Sequence, residues 1–285
     1  EQAVARDSGF ARAWAGLADA NVLLPLYTGT SPTAAWPRAK AAGQRATALG
    51  GGLAEAHTAL AYGTMLYEWN WAEAERQFQR AIAADPNYPT AHQWYGDFLA
   101  GRGRWEESLR EMEKAHELDP LSRIIGVELA WAYNSLHRFA EADSAVQRVL
   151  RLDPNFAHAS MIMGQIRLAE GRPREAVDLL RHALDAGGFN AHAAAELISA
   201  YAAAGNRGAA TSLLDTLTAH AAREYVPPFA FAAAYTGLGD RDRAFIWLER
   251  GIRERDVLLP ENFFEPLFDA LKGDRRYAEV ARRLR

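Results

Sequence analysis

Cysteine is absent from all 285 residues, which excludes disulfides and thiolate metal sites and fits a reducing or an oxidising compartment equally. No apolar run approaches the roughly 20 residues of a membrane span. Positive charge is not in excess: the net charge is −4, which leaves no electrostatic footprint for nucleic acid or an anionic membrane. Catalytic signatures are missing too. There is no His-Glu-x-x-His and no Gly-x-Ser-x-Gly, and Gly50-Gly51-Gly52 and Gly101-x-Gly103 neither follow strands nor match a phosphate loop or dinucleotide fingerprint. Carboxylates fall mostly at helix starts, turns or exposed helix positions such as Glu106-Glu107, Glu141 and Glu175, where they favour the helix dipole and solubility. The chain is therefore expected not to be an enzyme, with no catalytic residues, no cofactor and no metal. It begins Glu-Gln-Ala-Val, without methionine or a signal-like stretch, and reads as a segment of a longer protein. Its compartment is open: cytoplasmic by default, extracytoplasmic if an upstream part carries a membrane span.

What the chain does have is a period. Asp-Pro recurs at 85–86, 119–120 and 153–154, 34 residues apart each time. A fixed repeat of that length signals a solenoid rather than one globular core. The hydrophobic share is 49%, much of it alanine, which lets helices pack closely without a thick core. In the unit 89–122, Tyr95-Gly96 and Leu99 share one helical face, Gly101-Arg102-Gly103-Arg104 interrupts, and Ser108, Met112 and Ala115 form the face of a second helix closed by Pro120. The same pattern recurs in phase over 123–156, 157–190, 191–224 and 225–258. The unit 54–88 carries one extra residue, placed in its turn near Trp69-Asn70-Trp71. The unit 11–53 carries about nine extra residues around Pro25–Pro32. All twelve prolines are expected at helix edges or in turns. The last stretch, 259–285, leaves the pattern and reads as two short helices capping the open end, with Phe263, Phe264, Leu267 and Phe268 on the last repeat.

These units resemble the tetratricopeptide repeat, a 34-residue helix–turn–helix. The resemblance implies an all-α, right-handed superhelical solenoid of about seven units, with the first helix of each lining the concave side at the second, fifth, ninth, twelfth and thirteenth positions. Carried onto this chain, the groove would present Tyr62, Met65, Gln93, Asp97, Val127, Trp131, Asn134, His158, Met161, Gln165, His192, Ser199 and Phe229. Trp131 is either the main anchor for a partner or a packing residue. His158 and His192, one repeat apart, either line the groove or share a metal or proton-sensing role, and the metal is the less favoured. Family members that clamp a C-terminal carboxylate use Lys, Asn and Arg on the inner wall. Only Asn134 matches, so that variant is not expected. The groove suits an extended or helical protein segment with apolar and basic side chains, and no nucleic acid or membrane insertion is expected of this segment.

A narrower resemblance rests on Asn70-Trp71-Ala72-Glu73-Ala74-Glu75-Arg76, on Tyr88-Pro89-Thr90-Ala91-His92-Gln93-Trp94-Tyr95, and on Arg255-Asp256. These stretches look like repeat regions of bacterial multidomain signalling proteins, where such an array follows a kinase, winged-helix or cyclase domain. The resemblance implies a regulatory or sensor role through protein binding. Alternatives are a region that senses a small ligand and a structural array that self-associates through its N-terminal end. Function is expected in an elongated inner wall rather than in a single reactive cleft, and the first and last units are not expected to touch.

Overall fold

Each unit becomes two helices because its apolar residues recur at helical spacing and its breakers stand where the helix must stop. The computed structural model describes residues 1–28, 30 and 32–284, the Tyr27 side chain excepted. After a short α1 (Gln2–Arg6), the helices pair as α2 (Ala11–Tyr27) with α3 (Pro32–Leu49), α4 (Ala54–Gly63) with α5 (Trp71–Ala84), and α6 (Pro89–Ala100) with α7 (Trp105–Leu118). They continue as α8 (Arg123–Ser135) with α9 (Phe139–Leu152), α10 (Ala157–Ala169) with α11 (Pro173–Gly187), α12 (Ala191–Ala203) with α13 (Arg207–Ala221), and α14 (Pro228–Gly237) with α15 (Arg241–Glu254). Among the described residues there is no strand. The result is an all-α superhelical solenoid.

The period is written into the backbone. A left-handed residue ends the first helix of six units, at Trp69, Gly103, His137, Gly171, Gly205 and Gly239, spaced by 34 throughout. Four of the six are glycine, the residue for which this conformation carries no Cβ penalty. Trp69 falls in phase with the others, so the extra residue of the second unit is not in its turn, as the sequence suggested. It lies upstream, where Thr64–Glu68 form a π-helical turn that absorbs one residue without breaking the helix. Second helices start on a repeated Arg-x-x-Glu: Arg104–Glu107, Arg138–Glu141 and Arg172–Glu175 are paired. At half-exposed positions such pairs add little stability, and their recurrence marks register more than strength.

Two prolines depart from expectation. Pro25 lies in the last turn of α2 and Pro37 inside α3. Each removes one backbone hydrogen bond, and both lie near a helix end, where the loss is smallest. Of the loop expected to be longer here, Gly29 and Ser31 lie outside the described residues, and the helices on both sides take up most of the remainder.

The first helices pack on one another from α2 through α14 and form the inner wall. Beyond α15 the chain makes α16 (Leu259–Asn262), a 3-10 turn (Pro266–Leu271) and α17 (Arg275–Leu284). Helix α17 lies against α15. The stretch before it takes a different course: α16 packs on α6, four units back, and the 3-10 turn packs on α14.

Candidate functional site

The inner wall is assembled from α4, α6, α8, α10, α12 and α14, and it is not open. Residues 256–268 run across it. Arg255 adopts a left-handed conformation (φ 56°) that ends α15 and turns the chain inward, and its guanidinium lies 4.7 Å from the ring centre of Trp69 in the second unit. Asp256, fully buried, then fixes the entry. Its Oδ2 accepts from the Phe229 N–H at 2.6 Å and its Oδ1 from the Leu258 N–H at 2.9 Å, so one carboxylate caps α14 and the new turn together.

Further in, the segment makes three kinds of contact. The Pro260 carbonyl comes so near α6 that a Cβ on Gly101 would lie 2.0 Å from its oxygen, which is why this position has no side chain. Glu261 accepts a hydrogen bond from Tyr62, whose ring stacks on Trp94 at 4.4 Å. Glu265, buried, accepts from Trp131 Nε1 at 2.9 Å. Behind these polar contacts Phe263 and Phe268 are fully buried and meet Phe229 and Tyr277, with Phe268 5.6 Å from Phe229 and Phe263 4.8 Å from Tyr277. The segment thereby joins the core of the last unit.

Of the thirteen residues expected to line a groove, eleven are buried: Tyr62, Met65, Gln93, Asp97, Val127, Trp131, Asn134, Met161, Gln165, Ser199 and Phe229. His158 and His192 are partly buried. The expectation of a groove presenting these side chains is therefore corrected, since residues 256–268 of the same chain lie over them. The inner wall offers Tyr62 and Trp131 as partners for the two glutamates of the stretch after α15.

The covered chamber is unusual in its charge. Asp97, Glu128, Glu196, Glu261 and Glu265 gather in or beside it with His158 and His192. Loss of water raises Asp97 well above the carboxylate range, and the neighbouring Glu128 and Glu261 push it further. Burial likewise raises Glu128 and Glu265 to about 8 and Glu261 to about 7. His158 is driven down to about 4 by burial and by the nearby His192. His192 moves the other way: burial opposes its protonation, but Glu196, Glu265 and Glu128 outweigh that. The charges acting most strongly on Asp97, Glu128, Glu261 and Glu265 are one another, Glu196 and His192, with no lysine or arginine among them.

Sequence reasoning missed Glu128, Glu196, Asp256, Glu261, Glu265 and Gly101. A signal existed for two of them. Glu128 and Glu196 occupy the same place in their units, 68 residues apart, each a lone acid in an otherwise apolar stretch (Ile124–Ala130 and Ala193–Ala200).

One consequence concerns stability. Asp97 carries an Oδ1 without a hydrogen-bond partner in this chamber. Burial raises its pKa, so the folded chain disfavours the charge, a penalty absent below the ordinary value of 3.8 and growing as pH rises above it. Asp97→Asn should therefore raise stability at pH 8 by about 1–2 kcal/mol. At pH 3.5 the gain should vanish. Urea denaturation at the two pH values measures it, and a loss at pH 8 would contradict the reading.

Family models of the tetratricopeptide repeat match residues 66–122 and 146–259. Comparison with curated proteins finds no match. Among solved structures, a tetratricopeptide-repeat protein from Parabacteroides merdae superposes with a TM-score of 0.60 at 9% identity, covering 96% of this chain and 99% of that one. PilW, a type IV pilus biogenesis factor, gives 0.59 at 20% identity over 75% of this chain and 94% of its own. Pseudomonas aeruginosa PilF gives 0.55 at 22% identity over 73% and 90%. At these identities the likeness shows the fold. Both models describe the same repeat and, with helix pairs recurring every 34 residues, the chain is a tetratricopeptide-repeat solenoid.

Proposed function

We propose that this solenoid is a protein-interaction scaffold whose inner groove is held shut by the chain's own residues 256–268, and that a partner segment binds there by displacing them. Tetratricopeptide-repeat proteins are in general such scaffolds. The observation that carries the reading is the Trp131–Glu265 contact, which joins positions 134 residues apart and supports an inner wall able to hold a peptide segment. The segment is held as a bound peptide would be, by aromatic anchors in a pocket and a few oriented polar bonds.

The chamber's charge narrows the partner. Its own occupant brings two further carboxylates to a wall that already holds Asp97, Glu128 and Glu196. A segment with apolar anchors and a basic side chain would cover the same apolar surface and neutralise those acids. The resemblance of residues 70–76 and 88–95 to signalling-protein arrays supports a place in a bacterial multidomain signalling protein, where exchange of the internal segment for a partner would report to an attached domain.

An array of peptides pairing apolar with basic side chains, set against charge-reversed counterparts, tests this. A chain loosened by Gly101→Ala should bind the basic set in preference. Adding Tyr62→Ala and Trp131→Ala should weaken that binding at least tenfold, about 1.4 kcal/mol. Preference for the acidic set, or binding undiminished by the added substitutions, would contradict it.

A further inference from the structure

We infer that His192, Glu196 and Glu265 form a binding site for a first-row divalent cation of the zinc type, which fastens residues 256–268 to the inner wall. One ligand atom from each of the three lies within 4.8 Å of the others. Two come from α12 and sit one turn apart, at i and i+4, so they share a face. The third arrives from the segment that crosses the groove.

The donor set discriminates among ions. One imidazole and two carboxylates suit zinc and its neighbours better than magnesium or calcium, which favour all-oxygen shells. Tetrahedral zinc, with bonds of about 2.0–2.1 Å, sets its donors about 3.3 Å apart, so closure asks side-chain shifts on the order of 1 Å. Each carboxylate already has an outer partner of the kind that orients metal ligands. Gln165 Nε2 donates to Glu196 Oε1 at 3.1 Å, and Trp131 Nε1 donates to Glu265 Oε1 at 2.9 Å. A carboxylate oxygen can accept one such bond and still ligate an ion.

Two observations besides proximity point to a cation. The Nε2 of His192 is inaccessible to water, and its one near acceptor, Glu196 Oε1, stands 3.5 Å away, too far for a well-formed hydrogen bond. A buried imidazole nitrogen so weakly partnered is costly, and an ion would supply a stronger contact. The second observation is the charge balance. Glu196 and Glu265 are 2% and 3% exposed, and Glu128, Glu261 and Asp97 lie close enough to act on the same chamber, yet none of the strongest charges there is a lysine or arginine. Buried carboxylates need an opposing charge or a proton. A divalent ion bound to three of these side chains offsets two charges at once.

The site also gives the ion a consequence. Because Glu265 belongs to the displaceable segment, occupancy favours the closed groove by mass action and opposes any partner that must enter it.

The test is a titration of the full chain, stripped with chelator, with zinc chloride, followed by calorimetry and by thermal unfolding. Binding should saturate at one ion per chain and raise the unfolding midpoint by about 7 °C at a thousandfold excess over Kd. His192→Asn and Glu265→Gln should each weaken binding at least tenfold, while His182→Asn, at an exposed histidine outside the cluster, should leave it unchanged. Glu265→Gln separates a ligand from a structural prop. Glutamine still accepts from Trp131 and carries no charge, so the metal-free variant should unfold at or above the wild-type midpoint while losing its response to zinc. Cobalt substituted in the wild-type chain should show the intense visible absorption of a four-coordinate site, which requires no variant to fold. Absence of saturable binding would overturn the inference and leave the acids balanced by protons. Wild-type affinity in both variants would also overturn it.

Discussion

Gly101→Ala should open the groove while leaving the solenoid folded. The substitution is mild for α6, since Gly101 has an ordinary helical φ of −62° and alanine is the better helix former by about 1 kcal/mol. Its effect falls on the other side. The new Cβ would stand 2.0 Å from the Pro260 oxygen and 3.0 Å from its carbonyl carbon. A comfortable carbon–oxygen contact is about 3.3 Å, so the segment must retreat by more than 1 Å. Both of the atoms it would meet are backbone, and no side-chain rotation can relieve them. Docking should weaken at least tenfold, about 1.4 kcal/mol. Chymotryptic cleavage after Phe263 and Phe264 should accelerate by a similar factor, with circular dichroism showing unchanged helicity. Cleavage as slow as in the wild type would mean that the segment does not lie against α6.

The second large effect is expected at Phe268. This ring is fully buried against Phe229 and Phe263 and belongs to the same apolar cluster as Leu248, Leu271 and Val280. Phe268→Ala should destabilise the chain by about 3–5 kcal/mol, the cost of losing an aromatic side chain from a core that cannot collapse onto the gap. The two substitutions differ in kind. Gly101→Ala perturbs only where the segment docks, whereas Phe268→Ala also removes part of the last unit's core. Urea unfolding should show a lower midpoint for Phe268→Ala with an unchanged slope. A loss below about 1 kcal/mol would show the ring to be peripheral, since surface changes stay within about half that range.

The repeat was legible because it is local. Each 34-residue unit carries its own helix faces, its glycine or turn residue and its closing proline, and local rules suffice to place them. Where two features competed, the local rule misplaced them. The extra residue of the second unit looked like part of its turn, because Trp69-Asn70-Trp71 reads as a break, yet a π-helical turn inside the helix is the less disruptive place for it. Pro25 and Pro37 were misjudged because a proline near a helix end costs so little that tertiary packing overrides it.

The course of residues 256–268 was not legible, and the reason is sequence distance. Nothing near Glu265 names Trp131 as its partner, and nothing near Pro260 explains why Gly101 lacks a side chain. Those constraints appear only once the superhelix has brought α6 and α8 round to the end of the chain. Glu128 and Glu196 escaped because they stand one place from a counted inward position, and only the bend of the wall turns them into the chamber.

The claim on which the account turns is that residues 259–268 are clamped within the inner wall. Amide hydrogen exchange of that stretch tests it most directly. A four-residue helix and one 3-10 turn cannot protect their own amides in water, since pieces so short do not hold helical structure alone. Protection there therefore reports docking. Exchange as slow as in the buried centres of α8 and α10 is the predicted result. Exchange at the rate of an unstructured chain, with those two helices still protected, would contradict it.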